Sequence, residues 1–437
     1  MLVIGFQIKN IIIINLLYYY SMKLTKESNE LMSIFIKKKC LSSSQTKKTD
    51  SILKILYDEI KNGVSYVNTK KANMGNKFYK VSIKQITNKE QIVWPVTLSK
   101  DAFTPEVITH IEKNSNVILI YKFNIYDRNI SIIFIIEDNK VADLIETYNK
   151  YVDYMLVWLY IANIHSSKKC AKQLKIYIYH TSLSKQFPET NIQTLDQNNI
   201  NTGFCMSCPL DSEIVVFRKE EWFKVFIHET FHNFGLDFSS MNISIFNEKI
   251  LQIFPVNSEV NLFESYTEFW ARIINALFCS YINIKNKNDI DEFYTNAEFF
   301  INLENNFAFF QMIKILDYMG LSFDELYKKT VASDKLRKVR YKENTSILSY
   351  YVLTTILLNN YQDFLVWCDT NNISLLNFKK TTKNIDNMCV FLEKKYKTKN
   401  MLDGIKCIEK IYNNIKNKNN NKIYLLDNLR MTICELS

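Results

Sequence analysis

Residues 228–232 of this chain have the form H-E-x-x-H, and no other feature constrains its fold as strongly. Residues four apart lie on one face of a helix, so the imidazoles of His228 and His232 can bind one metal ion. Glu229, which follows the first histidine, can then reach a water molecule beside that ion. We therefore predict a buried metal-binding helix. The alternative is a helix that carries two structural histidines.

The sequence around the motif favours a strand, a buried helix and a turn in direct succession. Residues 212–218 are rich in β-branched side chains and predict the strand. Lys219, Glu220 and Glu221 follow, and acidic residues are favoured in the first turn of a helix. Gly235 suits the position just after the end of a helix.

A third metal ligand has to come from another segment, and residues 261–278 offer two carboxylates. The segment is apolar with helical periodicity, and Glu264 and Glu268 lie four apart on one face. A buried carboxylate without a partner is costly, and a metal ion or a metal-bound histidine would provide one. The alternative is a solvated acidic stripe in which Glu268 pairs with Arg272.

This combination resembles the gluzincin peptidases, in which H-E-x-x-H precedes an E-x-x-x-D pattern on a second helix. The resemblance implies that Glu264 is the third zinc ligand and that Glu268 orients the first histidine. Here Glu268 stands where the family usually has Asp. A second alignment uses the E-x-x-A pattern from Glu268 to Ala271 and makes Glu268 the ligand. We favour Glu264.

The metzincin pattern H-E-x-x-H-x-x-G-x-x-H fits the chain less well. Gly235 stands at the position of its glycine, but Phe238 stands at the position of its third histidine. Asp237 is one residue away from that position. It is therefore a lesser alternative for the third ligand.

The residues around both helices also resemble a family of predicted zinc metallopeptidases that large nucleocytoplasmic DNA viruses encode. The resemblance lies in RKEEWFKVFIHETFHNFGLDFS (218–239) and NLFESYTEFWARIIN (261–275), with NTGFC (201–205) upstream. It covers residues 195–280. It implies a zincin-like fold, a bound Zn²⁺ ion and a cytoplasmic location, in the host cell or the virion, and it leaves the substrate open.

The chain as a whole predicts an α+β protein in three parts. We expect an apolar extension and a polar helical segment over 1–75, a zincin-like catalytic domain over 76–280 and a mainly helical part over 281–437. The catalytic domain would combine a mixed sheet, a long backing helix and the motif helix. The strands are expected at 77–86, 92–98, 116–127, 129–138, 172–181 and 212–218, and the long helix at 140–166.

Charge and the N-terminal segment do not favour a nucleic-acid or membrane partner. The formal net charge is +10, but no nucleic-acid-binding motif accompanies the lysines, so we expect no specific nucleic acid. Residues 1–20 could anchor the chain in a membrane, but Gln7, Lys9 and Asn10 interrupt their apolar run. We expect an extension or a core strand there, with Met22 as an alternative start.

The remaining candidate groups are expected to be structural. The nine cysteines are odd in number and irregular in spacing, which predicts reduced thiols in a cytosolic protein. The single C-x-x-C of Cys205 and Cys208 is not expected to bind zinc. His180 could stabilise an oxyanion, but a strand-end role is favoured. We expect His110 and His165 to be structural.

These observations predict a zinc-dependent endopeptidase. Zn²⁺ would be held by His228, His232 and Glu264, and it would lower the pKa of a water that Glu229 deprotonates for attack on a peptide carbonyl. A protein or peptide substrate would pair as an added strand with residues 212–218. The alternative is an inactive zincin-fold protein, structural or virion-associated, with a structural zinc. Glu229 argues against it, because a structural zinc needs no base.

Overall fold

A mixed β-sheet forms one layer of the α+β fold, and helices pack against it. The computed structural model describes residues 24–41, 45–75, 78–418 and 420–436. The strands within these residues are β1 (Lys80–Gln85), β2 (Val117–Ile125), β3 (Arg128–Ile136), β4 (Gln173–His180), β5 (Gly203–Cys205) and β6 (Asp211–Val216). Their order in the sheet is β1-β2-β3-β4-β6-β5. β3 and β6 each pair with β4 in parallel, and the other pairs are antiparallel.

The two faces of the sheet contact two separate apolar cores, because successive side chains of a strand point to opposite sides. On β3, Ile132 and Phe134 face the larger core, while Ile133 and Ile135 face the smaller one. The smaller core is closed by apolar side chains of residues 92–111. Both faces of the central strands are therefore buried, which accounts for their nearly continuous apolar sequence.

Helices supply most of the larger core, and one of them ties the sheet to the motif. The helix predicted over 140–166 is confirmed and runs from Val141 to His165. Its Trp158 stacks on Phe231, with ring centroids 5.7 Å apart. The helices are α1 (Lys26–Lys38), α2 (Lys47–Met74), α3 (Pro105–Asn114), α4 (Val141–His165), α5 (Gln197–Ile200), α6 (Trp222–Asn233), α7 (Ser244–Ile253), α8 (Leu262–Asn283), α9 (Ile290–Tyr318), α10 (Phe323–Tyr327), α11 (Val331–Arg340), α12 (Thr354–Asn359), α13 (Tyr361–Asn371), α14 (Thr382–Lys395) and α15 (Lys399–Lys418).

The larger core draws side chains from all three predicted parts of the chain. Leu53, Phe134 and Leu316 all belong to it, and they lie in the segments predicted as 1–75, 76–280 and 281–437. The division into three parts stays a prediction. A π-helical turn at Leu348–Leu353 and short 3₁₀ turns complete the described elements, the latter at Lys89–Gln91, Lys100–Ala102 and Asn420–Leu426.

The strand predicted at 92–98 is wrong, because these residues form a loop. Glu213 of β6 accepts hydrogen bonds from the backbone N–H groups of Val96 (2.9 Å) and Thr97 (2.7 Å). Pro95 has no N–H group to donate to a neighbouring strand. A distant side chain therefore satisfies backbone groups that a strand would have used.

The strand predicted at 212–218 exists, but it is not an edge strand. β6 ends at Val216 and lies between β4 and β5. The edge next to the motif helix is β5, a strand of three residues that the sequence patterns did not reveal. A peptide that extends the sheet on this side would therefore pair with β5.

Four of the nine cysteines form disulfides, so the prediction of reduced thiols is wrong for these four. The pairs are Cys40–Cys407 and Cys170–Cys208. Their partners lie 367 and 38 residues apart, and no local spacing signals such pairs. The free cysteines are Cys205, Cys279, Cys368, Cys389 and Cys434.

The prediction about a membrane anchor falls on residues outside the described part of the chain. Residues 1–23 are not described, and they include the apolar run and Met22. Among the helices that the structure does describe, none combines the length and the apolarity that crossing a bilayer requires.

Candidate metal centre

The motif helix α6 is buried along its whole length. Every residue from Trp222 to Asn233 is buried, and Gly235 adopts the expected left-handed conformation just after the helix (φ 62°). The prediction that Glu220 and Glu221 form its first turn is wrong. Glu221 takes a left-handed conformation (φ 59°) before the helix begins. The carboxylate of this residue instead forms a buried ion pair with a distant lysine.

His228, His232 and Glu264 converge on one point between α6 and α8. The Nε2 atoms of the two histidines lie 3.2 Å apart. Glu264 Oε2 lies 3.1 Å from His228 Nε2 and 3.4 Å from His232 Nε2. Ligands of a tetrahedral zinc ion at about 2.0–2.1 Å lie about 3.3–3.4 Å from one another. The three atoms therefore fit one face of a tetrahedral site and leave its fourth position open.

The other ring nitrogen of each histidine is held by a carboxylate. His228 Nδ1 donates to Glu268 Oε2 (3.0 Å), and His232 Nδ1 donates to Asp237 Oδ2. With the protons on Nδ1, both Nε2 atoms present lone pairs to the centre. Three acceptors then face one another, an arrangement that a bound cation stabilises. Histidines supported by carboxylates in this way are typical of zinc sites.

Asp237 supports His232 and does not lie among the convergent atoms. The metzincin-like alternative, in which Asp237 is the third ligand, is therefore wrong. The turn at Gly235 brings its carboxylate back to the Nδ1 atom of the histidine. Its Oδ1 atom also accepts a hydrogen bond from Ser239 Oγ (2.9 Å), and Thr267 Oγ1 donates to its Oδ2 (3.4 Å). Asp237 is fully buried, so these contacts hold its orientation.

Glu268 is held by a lysine that lies one helical turn before His228. Lys224 Nζ donates to both carboxylate oxygens of Glu268, at 3.0 and 3.1 Å. Arg272, the other partner considered for Glu268, pairs instead with Glu304 at 2.9 Å. Glu268 is 1% exposed, so the alternative of a solvated acidic stripe is wrong.

Glu229 borders a small cavity beside the convergent atoms. The cavity has a volume of about 30 Å³, enough for about one water molecule. Burial raises the pKa of the Glu229 carboxyl above its ordinary value. The side chain is thus suited to exchange a proton with a water in this space. The cavity is lined also by Gly203, Lys185, Lys224, Val225, His228, Glu268, Tyr350 and Met431.

Tyr350 faces the same cavity, and the sequence analysis missed it. Its ring centroid lies 6.0 Å from that of His228. Burial and the negative charge of Glu264 raise the pKa of Tyr350 well above its ordinary value, so its hydroxyl keeps the proton at neutral pH. Tyr350 belongs to the π-helical turn, a structure frequent at functional sites. The sequence marks it in no way among 26 tyrosines.

The carboxylates around the centre stabilise positive charge at the two histidines. Burial alone would lower the pKa of His228, but hydrogen bonds with Glu264 and Glu268 raise it overall. Burial acts in the same direction on His232, and the charges of Asp237 and Glu264 raise its pKa well above the ordinary value. Burial would raise the pKa of Glu264, yet the two histidines lower it overall.

The remaining histidines lie outside this cluster. His180 is buried at the end of β4, where it contacts the Tyr148 hydroxyl through Nδ1 (3.0 Å). Burial, with a smaller contribution from a nearby lysine, lowers the pKa of His180 to about 3. His110 and His165 each pair with a glutamate that does not belong to the cluster.

No protein family, curated protein or solved structure matches this chain. The case for a function is therefore carried by the three convergent atoms, the two supporting carboxylates and Glu229.

Proposed function

We propose that the protein is a zinc-dependent metallopeptidase with a zincin-like fold, acting on peptide bonds of proteins or peptides. One observation carries the proposal, namely the convergence of His228 Nε2, His232 Nε2 and Glu264 Oε2 at 3.1–3.4 Å. Glu229 lies beside them at a cavity with room for a water. In this proposal Glu264 is the third ligand, and Glu268 supports His228.

The residues of the centre have separate roles in the proposed reaction. His228, His232 and Glu264 would hold a zinc ion. The ion would supply Lewis acidity, which polarises a carbonyl group and lowers the pKa of a water. Glu229 accepts a proton from the attacking water and passes it to the leaving amine. The raised pKa of Glu229 favours uptake of the proton, because burial makes the carboxylate a stronger base.

Tyr350 is the proposed donor to the negative charge that develops on the carbonyl oxygen. Its hydroxyl stays protonated because burial raises its pKa. It borders the cavity together with His228 and Glu229. A donor placed where charge develops in the transition state is among the largest contributions to amide hydrolysis.

The substrate is proposed to pair with the outer edge of β5. Among the described residues, β6 is the one strand that pairs with β5, so no strand occupies its other edge. Gly203 of this strand lies against Glu229, so an added Cβ atom would be 3.0 Å from Glu229 Oε1. A glycine here allows the backbones of strand and substrate to approach the base closely.

A structural zinc is the second candidate function, and the burial of the site favours it. The side chains of His228, His232 and Glu264 are 8%, 11% and 14% exposed. Structural zinc sites, however, are closed by four protein ligands. Here three atoms converge, and the neighbouring Glu229 has no purpose in a structural site. The hydrolase is therefore the preferred proposal.

Zinc content and the Glu229→Gln variant separate the two functions. We expect about one zinc per chain after dialysis against a zinc-containing buffer, as measured by elemental analysis. Glu229→Gln should keep the zinc and the fold, while hydrolysis of a mixed peptide library falls at least about 100-fold. Glu248→Gln, an exposed glutamate on α7, is the matched control and should behave as wild type.

Each outcome of this experiment has a defined meaning. Wild-type protein that binds no zinc refutes both candidate functions. Equal hydrolysis by wild type and Glu229→Gln refutes the assigned base. Bound zinc without hydrolysis in either protein, over a broad peptide set, favours the structural zinc.

A further inference from the structure

A row of four buried charged side chains leads to His228. Lys185 Nζ lies 2.8 Å from Glu221 Oε2, Lys224 Nζ lies 3.8 Å from Glu221 Oε1, and Lys224 Nζ lies 3.0 Å from Glu268 Oε1. None of the four side chains is more than 2% exposed. Glu268 then accepts the hydrogen bond from His228 Nδ1. We call Lys185, Glu221, Lys224 and Glu268 the charge row.

Glu221, the second member of the charge row, is anchored in the C-terminal segment. Glu221 Oε1 accepts hydrogen bonds from the backbone N–H groups of Met431 (2.6 Å) and Thr432 (2.7 Å). The row holds two cations and two anions in alternation, so its charges balance. Because an unpaired buried charge is costly, each member fixes the place of the next. Lys224 is therefore held from one side by Glu221 and from the other by Glu268.

Two glutamates of α8, Glu264 and Glu268, are the candidates for the third metal ligand. They lie four apart on α8, and each contacts His228, Glu264 at Nε2 and Glu268 at Nδ1. Their side chains have the same length and the same chemistry. What differs is the partner, because Glu268 is bound by Lys224 through both oxygens, whereas the ion pairs of Glu264 are with the two histidines.

We propose that Lys224 is a positioning residue that decides which glutamate binds the metal. By holding both oxygens of Glu268, it fixes this carboxylate on His228 Nδ1 and leaves Glu264 as the ligand. The geometry suits this role, since Lys224 lies one helical turn before His228 and shares its face of α6. The inference rests on the proposed function, because it presupposes a metal ion at the centre.

Positioning and simple electrostatics predict opposite effects of removing Lys224. A cation near a metal site repels the metal ion, so its loss alone would tighten zinc binding. If Lys224 positions Glu268, its loss instead frees that carboxylate and withdraws the support of His228. Loss of such a support weakens metal binding about 10- to 100-fold. The sign of the change in zinc affinity therefore distinguishes the two.

The test compares zinc dissociation constants of full-length variants by competition with a chromogenic chelator. We expect Lys224→Met to bind zinc about 10- to 100-fold more weakly than wild type. The absorption spectrum of the cobalt-substituted protein should also change, because the ligand geometry changes. Arg272→Met is the matched control, since Arg272 is an equally buried cation on α8 that pairs with Glu304. It should leave the zinc affinity and the cobalt spectrum as in wild type.

A double variant keeps the test valid if Lys224→Met folds poorly. Lys224→Met combined with Glu268→Gln removes both charges of the pair, and such neutral replacements are tolerated better than a single loss. If Lys224 acts through Glu268, the double variant should bind zinc as Glu268→Gln alone does. Melting curves of all variants identify any that are unfolded.

The inference is overturned if Lys224→Met binds zinc as tightly as wild type or more tightly. It is also overturned if Arg272→Met loses as much affinity as Lys224→Met, because the effect would then be a general one of buried cations. A double variant that binds much more weakly than Glu268→Gln contradicts a role through Glu268. If the wild-type protein binds no zinc, the proposed metal centre itself is refuted. That result is distinct from a failure of the role of Lys224, which is judged only by comparing the variants with a zinc-binding wild type.

Discussion

Gly203→Ala is expected to disturb the proposed base while leaving the metal ligands in place. A Cβ atom built at Gly203 would lie 2.7 Å from the Val215 carbonyl oxygen, 2.8 Å from Val225 Cγ1 and 3.0 Å from Glu229 Oε1. Two of these neighbours belong to the motif helix, and the third is backbone of the adjacent strand β6. The methyl group therefore forces β5 and the motif helix apart at the position of Glu229.

The size of the effect follows from these distances. The strand carbonyl cannot yield without a backbone shift, and overpacking of this kind costs about 1–3 kcal/mol of unfolding free energy. Glu229 Oε1 has to retreat from 3.0 Å to at least 3.4 Å, where ordinary contacts begin. A displacement of about 1 Å in a reacting group costs about 100-fold in rate, so a shift of less than half that size should lower kcat about 10-fold.

The assays are kcat on a peptide substrate, zinc content and urea unfolding of the full-length protein. Gly404→Ala is the matched control, because its Cβ would lie 2.9 Å from Leu41 Cδ2 and 3.1 Å from Phe309 Cζ, in another part of the core. It should lose stability without losing kcat. The reasoning is refuted if Gly203→Ala keeps full kcat, or if Gly404→Ala loses as much kcat as Gly203→Ala.

Three further predictions test the ligands, the oxyanion donor and a buried histidine. Glu264→Ala should abolish zinc binding, while Glu268→Ala should weaken it about 10- to 100-fold, as measured by elemental analysis and chelator competition. If Glu268→Ala has the larger effect, Glu268 is the ligand. Tyr350→Phe should lower kcat about 100-fold or more with zinc content unchanged, and an unchanged kcat would remove Tyr350 from the mechanism. Because burial lowers the pKa of His180 to about 3, the unfolded chain binds a proton that the folded chain does not, and stability falls as the pH drops below about 6.5. The loss should reach about 2 kcal/mol at pH 5, and urea unfolding at pH 7 and pH 5 should show a smaller pH effect in His180→Asn than in wild type.

The long periodic elements of the fold were predictable because their signals are local. The helix over Val141–His165 and the hairpin of β2 and β3 follow from runs of apolar residues at helical or strand spacing. The loop at 92–98 and the edge strand β5 did not follow, because distant groups decide both. Glu213 binds the backbone of the loop, and β5 is too short to show a period.

The same distinction separates the predictable residues of the site from the others. His228, Glu229 and His232 are visible because one helix carries them at fixed spacing, and Glu264 is visible because a second helix repeats the pattern. In the sequence, Asp237 stood out only because it lies one residue away from Phe238, which occupies the position of the third metzincin histidine. Its actual contact with His232 depends on the turn at Gly235, which folds the chain back onto the motif helix.

Lys224 could have been identified from the sequence as a charged residue in a helix that is expected to be buried. It stands in WFKVFIHETF, an otherwise apolar stretch, and helical spacing places it on the face of His228. A lysine there needs a buried anion. Which anion Lys224 contacts depends on how α6 packs against α8. The periodicity within one helix cannot predict that packing.

The charge balance of the folded centre provides an independent reason to expect a divalent cation. The four members of the charge row neutralise one another, and Arg272 neutralises Glu304. Asp237 and Glu264 differ from these, because among the described residues their ion pairs are with histidines and not with lysine or arginine, and Glu229 adds a third buried carboxyl group beside them. The carboxylates around the centre raise the pKa values of both motif histidines, so the centre favours positive charge. A divalent ion bound where the two Nε2 atoms and the Glu264 carboxylate meet would supply such charge and would compete with protons for these atoms.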